Sequence, residues 1–295
     1  MSSLQTQQRC TELIRQLQLP DSFQEIVTKI YLPLSQIIVQ QKKQQPLLIS
    51  INGAQGTGKS TMTRFIKHII ESEMDCQVAD LSLDDFYSVR EKRMSLAEDV
   101  HPLFATRGVP GTHDVDLIEQ VYDSLMNRRA CRIPRFNKAI DDRDAESAWT
   151  DCNEPVEVIL FEGWCNNSPA QNAQELERPV NELEEKEDPD GIWRQYVNEQ
   201  LIDYRQRLFD HADMSIMLKA PDFERIYEWR SLQEQKLAAS SAHLEQNQVM
   251  NESELMRFIQ HYERISRHTL EHLPAMADVV LPVAADHSIT GIVQK

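Results

Sequence analysis

Lys59 and Ser60 close a glycine-rich stretch, ISINGAQGTGKST at residues 49–61, that gathers three of the chain's eight glycines into six positions. Gly53, Gly56, Gly58, Lys59 and Ser60 fit the spacing G-x-x-x-x-G-K-[ST]. In such a loop the backbone N–H groups curl round phosphate oxygens at a helix N-terminus, and side chains on the glycines would block the approach. The segment Gly53, Ala54, Gln55, Gly56, Thr57, Gly58, Lys59, Ser60 and Thr61 is therefore expected to bind a nucleotide. Lys59 would reach its β- and γ-phosphates, and the Ser60 hydroxyl would ligate Mg²⁺.

Nucleotide binding does not say what is done with the nucleotide. A GTPase adds the base-reading N-K-x-D; the nearest match, Asn137-Lys138-Ala139-Ile140, has isoleucine where aspartate must stand. A motor or transporter ATPase usually ends its second-metal strand in aspartate, whereas VILFEG ends on Glu162 before its glycine. Asp84 and Asp85, in LSLDDFY, follow a second expected strand. In an open parallel sheet the carboxyl ends of strands face the ligand crevice, which puts this pair near the γ-phosphate. Phosphorylation of an alcohol needs a carboxylate to orient the hydroxyl and accept its proton, and Asp84 suits that role. Asp85 is equally suited to capping the next helix or holding a metal-bound water.

The 295 residues carry a net charge of -16, which argues against a nucleic-acid coat. Anionic ligands must then be captured by local positive clusters. Two are present: TRGVPGTHD (106–114) with Arg107 and His113, and IPRFNK (133–138) with Arg135 and Lys138. The arginine fork matches carboxylate or phosphate, so both clusters suit a small anionic substrate held against Asp84. For His113 simple packing of its loop competes with that role, and Asp114 reads as a helix N-cap. The five cysteines are scattered and odd in number, which suggests neither a disulfide framework nor a zinc site. No apolar run approaches a membrane span and the first residues lack a signal-peptide core, so the expected location is cytoplasmic. No feature of the sequence specifies an oligomeric state.

Helical periodicity runs over residues 10–44 with a kink at Pro33, and again from Met62 to Ile70. Strands are expected at PLLISIN and at 76–83, 131–136, 156–163, 212–220 and 277–283. Alternation of strands and helices implies an α/β chain with a mainly parallel sheet covered on both faces. Residues 168–191 are acidic and polar and read as an inserted surface excursion.

The ordered set GAQGTGKST, SLDDFY, RGVPGTHD, IPRFNK, VILFEGW and YEWRSLQE resembles the D-glycerate 3-kinase family, within the wider group of uridine kinase, phosphoribulokinase and pantothenate kinase. The resemblance covers roughly residues 20–285. It implies one P-loop kinase domain over residues 1–295, a three-layer α/β/α fold with a helical N-terminal extension at 1–45 and a helical lid at 222–250. It further implies ATP and Mg²⁺, with Asp84 as catalytic base, Glu162 as the acid near Mg²⁺ beside Ser60, and Arg225 and Arg230 closing from the lid. A solvated helix face competes for the lid stretch. Asp85, Tyr87, Arg107, His113, Arg135 and Lys138 are then the expected substrate side, the acceptor being a small hydroxy acid such as glycerate. Pantothenate would satisfy the same charges, uridine would want stacking aromatics, and a non-catalytic ATP sensor is the alternative outside enzymes.

Overall fold

The computed structural model describes residues 4–241, 250 and 252–295. Six strands form one sheet in the order Val293–Gln294, Val279–Pro282, Met214–Lys219, Leu47–Gly53, Val158–Gly163, Val78–Ser82. All pair in parallel except the short Val293–Gln294 at one edge. Leu47–Gly53 and Val158–Gly163 are buried along their whole length, the continuous apolar reading of a parallel strand covered on both faces.

The strand period of two separates the faces. Leu47, Ile49, Ile51, Val158 and Leu160 pack with Phe65, Ile66, Ile69 and Ile70 of the helix Lys59–Glu73. Leu48, Ile159 and Phe161 point the other way, onto Ile118, Val121, Trp193 and Tyr204. Helices thus lie on both sides, and the fold is the expected three-layer α/β/α. The parity also decides the site: Glu162 follows Val158 and Leu160, so its carboxylate emerges on the P-loop helix side, opposite Ile51 on one neighbour and Ser82 on the other.

Three expectations need correction. The helix expected over 10–44 is broken between Gln16 and Phe23, where Gln18 adopts a left-handed φ of 53° just before Pro20. The second part has its distortion one turn ahead of Pro33, as a wide turn over Val27–Tyr31, because Pro33 has no N–H for the carbonyl four residues earlier. Its Phe23 and Tyr31 rings pack on Phe65 of the P-loop helix.

The stretch 131–136 is not a strand of the main sheet. Cys131–Ile133 pairs antiparallel with Thr150–Cys152, Pro134 cannot continue the ladder, and Phe136–Asn137 turns back onto Asp142–Arg143. Residues 168–191 are held down, not free: Leu176 and Leu183 are buried, and the fully buried Glu184 takes two hydrogen bonds from Arg264 at 2.8 and 2.6 Å. The buried Asp188 is paired with Arg194 at 3.0 Å. Of the expected lid, Phe223–Ser241 is a helix; residues 242–249 lie outside the described residues.

Candidate active site

The P-loop joins the end of the strand Leu47–Gly53 to the helix Lys59–Glu73. Gly56 and Gly58 have φ of 82° and 90°, a backbone region that side chains disfavour, and a Cβ on Gly56 would stand 2.7 Å from Cβ of Trp229. Thr57 donates to the Ala54 carbonyl at 2.8 Å and closes the loop on itself. Lys59 Nζ lies 3.5 Å from the same carbonyl and 3.9 Å from Glu162 Oε2.

Glu162 is buried, and its Oε1 accepts from both Ser60 and Ser82 at 2.9 Å. A buried carboxylate beside two hydroxyls and the phosphate lysine is an oxygen-only donor set, the chemistry of a hard cation such as Mg²⁺. Ser60 and Glu162 are the residues that would hold it. Mg²⁺ held there would supply positive charge against the phosphate oxygens of a bound nucleotide.

Asp84 and Asp85 lie in a tight turn, Leu83–Phe86, directly after the strand Val78–Ser82, and they have different fates. Asp84 faces the cleft, takes a hydrogen bond from Tyr87 at 2.8 Å and pairs with Lys138 at 2.7 Å. Burial pushes its carboxyl up, but Lys138, then Lys59, and the Tyr87 hydroxyl together outweigh burial and hold it down at about 2. Asp85 turns away, bound by Arg135 at 2.7 Å and by the Phe136 N–H at 3.2 Å. Here burial prevails over those partners and its carboxyl is raised.

A cleft of about 420 Å³ brings together Gln55, Gly56 and Gly58 to Thr61 of the P-loop, Asp84, Tyr87, Arg107, Lys138 and Arg230. Of the expected site residues, Gly53, Ala54, Thr57, Asp85, His113, Arg135, Glu162 and Arg225 are not among its lining. Arg135 is committed to Asp85 and to Thr150 at 2.9 Å. Arg225 is paired with Glu228 on its own helix. His113 is buried behind Tyr87, its ring stacked at 4.6 Å and its Nδ1 2.9 Å from the Tyr204 hydroxyl. Its place is to support Tyr87, which in turn steadies Asp84. Asp114 is the helix N-cap, accepting from Leu117 N–H, and is paired with Arg143 at 2.9 Å.

Sequence reasoning did not assign a role to Trp164, Phe258 and Tyr262, which also line the cleft. Trp164 follows Glu162 in VILFEGW and donates to the Gly108 carbonyl at 2.8 Å. Tyr262 donates to the Arg107 carbonyl at 3.2 Å, and its hydroxyl is 2.0 Å from where a Cβ on Gly108 would be. With φ at 132°, Gly108 is thus fixed by both backbone shape and close approach. These contacts hold Arg107 at the cleft, and its guanidinium lies over the Phe136 ring at 5.5 Å and pairs with Asp141.

Burial pushes His113 down to about 3 from an ordinary value of 6.5. Between these values the unfolded chain binds a proton that the folded chain refuses, so stability falls as pH drops below about 6.5 and is recovered as pH rises. His261, lowered to about 4 chiefly by burial, acts in the same sense. Each contributes a slope of up to about 1.4 kcal/mol per pH unit. His113→Phe is expected to flatten the pH dependence of the denaturation midpoint across that window, with the His261 part remaining. An unchanged slope would mean that His113 is protonated in the folded protein.

Residues 48–168 match the Phosphoribulokinase / Uridine kinase family. Over 228 residues, 74% of this chain, the sequence is 29% identical to the uncharacterized kinase mug58 of Schizosaccharomyces pombe, of which 79% is covered. It is 27% identical over 74% of its length to the chloroplastic D-glycerate 3-kinase of Arabidopsis thaliana, spanning 46% of that protein. The solved D-glycerate 3-kinase of Cryptococcus neoformans superposes with a TM-score of 0.74 over 90% of this chain and 99% of that one, at 21% identity, a likeness of fold. The matched segment contains the P-loop, Asp84, Tyr87, Arg107, Lys138 and Trp164 of the cleft lining, together with Glu162, while Arg230, Phe258 and Tyr262 come from beyond it. The chain is therefore an ATP-dependent P-loop kinase, whose residues 48–168 match the phosphoribulokinase/uridine kinase family.

Proposed function

We propose that this kinase transfers the γ-phosphoryl group of ATP, as its Mg²⁺ complex, to a hydroxyl of a small hydroxy acid, with D-glycerate going to 3-phosphoglycerate as the leading case. The observation that carries this reading is that one small cleft holds the phosphate lysine, an ionised aspartate and two cations of the acceptor side, Arg107 and Lys138. The P-loop N–H groups and Lys59 hold the β- and γ-phosphates. Ser60 and Glu162 hold Mg²⁺, and Asp84 orients the acceptor hydroxyl toward phosphorus. A carboxyl near 2 is a weak base, which suits a loose transition state in which the hydroxyl proton leaves late and orientation matters most. Arg107 and Lys138 receive the acceptor carboxylate. The names of the Arabidopsis and Cryptococcus relatives point to the same acceptor.

The aromatic side chains Tyr87, Trp164, Phe258 and Tyr262 favour a second reading, because a nucleoside-like acceptor would stack on such surfaces. ADP formation measured with glycerate, pantothenate, uridine or no acceptor separates the readings, and acceptor-independent ATP binding without turnover would indicate a sensor. With the hydroxy acid as acceptor, Arg107→Met should raise the acceptor KM strongly and leave that for ATP nearly unchanged. An uncharged triol of the same size should suffer far less. Equal losses for both would place Arg107 on the phosphates instead. Arg135→Met should act through Asp85 and the ribbon it anchors, with a smaller and less charge-selective effect.

A further inference from the structure

The last turns of the helix Glu252–His272 carry a second polar cluster, apart from the cleft. His268 and His272 are one helical turn apart, so their rings share a face, with centroids 4.3 Å from each other. Facing them is Glu175, in the first turn of Ala173–Leu176, with Oε1 3.6 Å from His268 Nδ1. One ligand atom from each of the three lies within 4.8 Å of the others. We propose that Glu175, His268 and His272 bind a zinc ion.

Two imidazole nitrogens and one carboxylate are a donor set that zinc accepts with a fourth position left to water. Each ligand is oriented by contacts of its own. Glu175 Oε2 accepts from the Asn172 N–H at 2.8 Å in a capping box, which leaves Oε1 turned to the rings. The Glu175 carbonyl is held by Arg264 at 2.9 Å. The His268 side chain is only 10% exposed, and the Ala170 backbone serves its ring as hydrogen-bond acceptor, the kind of outer contact that fixes metal-binding histidines. Burial, and then the neighbouring His272, lower the ring's protonation range from its ordinary value. His272 is 44% exposed, with Glu271 3.9 Å from its Nε2, so the ion has a way in from solvent. The ion would fasten the acidic stretch 168–191 to the helix that carries Phe258 and Tyr262 into the cleft.

The test uses the full chain, stripped with a chelator and free of nucleotide. Titration with Co²⁺ should give one equivalent bound with the visible absorption of a low-coordinate site, and one equivalent of Zn²⁺ should displace it. Zn²⁺ should also raise Tm, since it binds the folded chain. His272→Ala and Glu175→Gln should each weaken binding roughly tenfold or more and remove the gain in Tm. Ser60→Ala and the double change Cys131→Ser, Cys152→Ser should leave both intact. The proposal is overturned by an absence of stoichiometric binding, by binding that survives His272→Ala and Glu175→Gln, or by binding that depends on Ser60 or the two cysteines.

Discussion

Lys59→Ala is expected to lower turnover by several orders of magnitude while the chain stays folded. The ammonium stands at the mouth of the P-loop, 3.9 Å from Glu162, and is placed to follow charge from the γ- to the β-phosphate oxygens. Such charge moves during transfer, so a preorganised cation is worth more in the transition state than in the bound ground state. The loss should fall mainly on kcat. Circular dichroism and the denaturation midpoint check the fold, and single-turnover ADP formation measures the chemical step. Turnover like the wild type in a folded Lys59→Ala protein would remove the P-loop from the mechanism.

Asp84→Asn should keep ATP binding and reduce transfer by about 10² to 10⁴. Asparagine preserves the size of the side chain and can still accept from Tyr87, but it cannot take the hydroxyl proton and no longer pairs with Lys138. The freed Lys138 should bind an anionic acceptor at least as well, so the acceptor KM is not expected to rise. Asp85→Asn should be milder in kcat and felt in stability, because Asp85 serves Arg135 and the Phe136 N–H away from the cleft. Measured kcat values for the two variants decide the matter, and the reverse order would exchange the roles assigned within DDFY.

What could be read from the sequence was what short-range geometry fixes. The P-loop is a local motif whose glycines have one purpose, and the strand before it followed from an unbroken apolar run. Asp84 was placed because it follows a strand of a parallel sheet, where side chains meet the crevice, and Glu162 through the resemblance that VILFEGW carries. The parts that stayed hidden depend on packing between distant segments. Nothing in the sequence around Tyr262 signals that its hydroxyl reaches the Gly108 turn, since helical periodicity marks only a buried face. Arg135, Arg225 and His113 show a different limit. Their charge or ring suits a ligand, but Asp85, Glu228 and Tyr204 claim them first, and a pairing partner 50 or 91 positions away has no local signature. Pro134 was a legible stop to the ribbon strand that the expected 131–136 strand ignored.

The P-loop strand has both of its neighbours far downstream in the chain: Val158–Gly163 on one side and Met214–Lys219 on the other. During synthesis from the N-terminus, Leu47–Gly53 therefore emerges with no partner, and more than a hundred residues must follow before the first arrives. At about 5–20 residues per second that wait is roughly 5–20 s, during which an apolar, unpaired strand is exposed to other nascent chains. The phosphate cradle is framed only later still, when Leu218 comes into register beside Gly53. A nucleotide site that needs this register is therefore complete only after residue 218 has been made, too late for bound nucleotide to stabilise the earlier, unpaired strand.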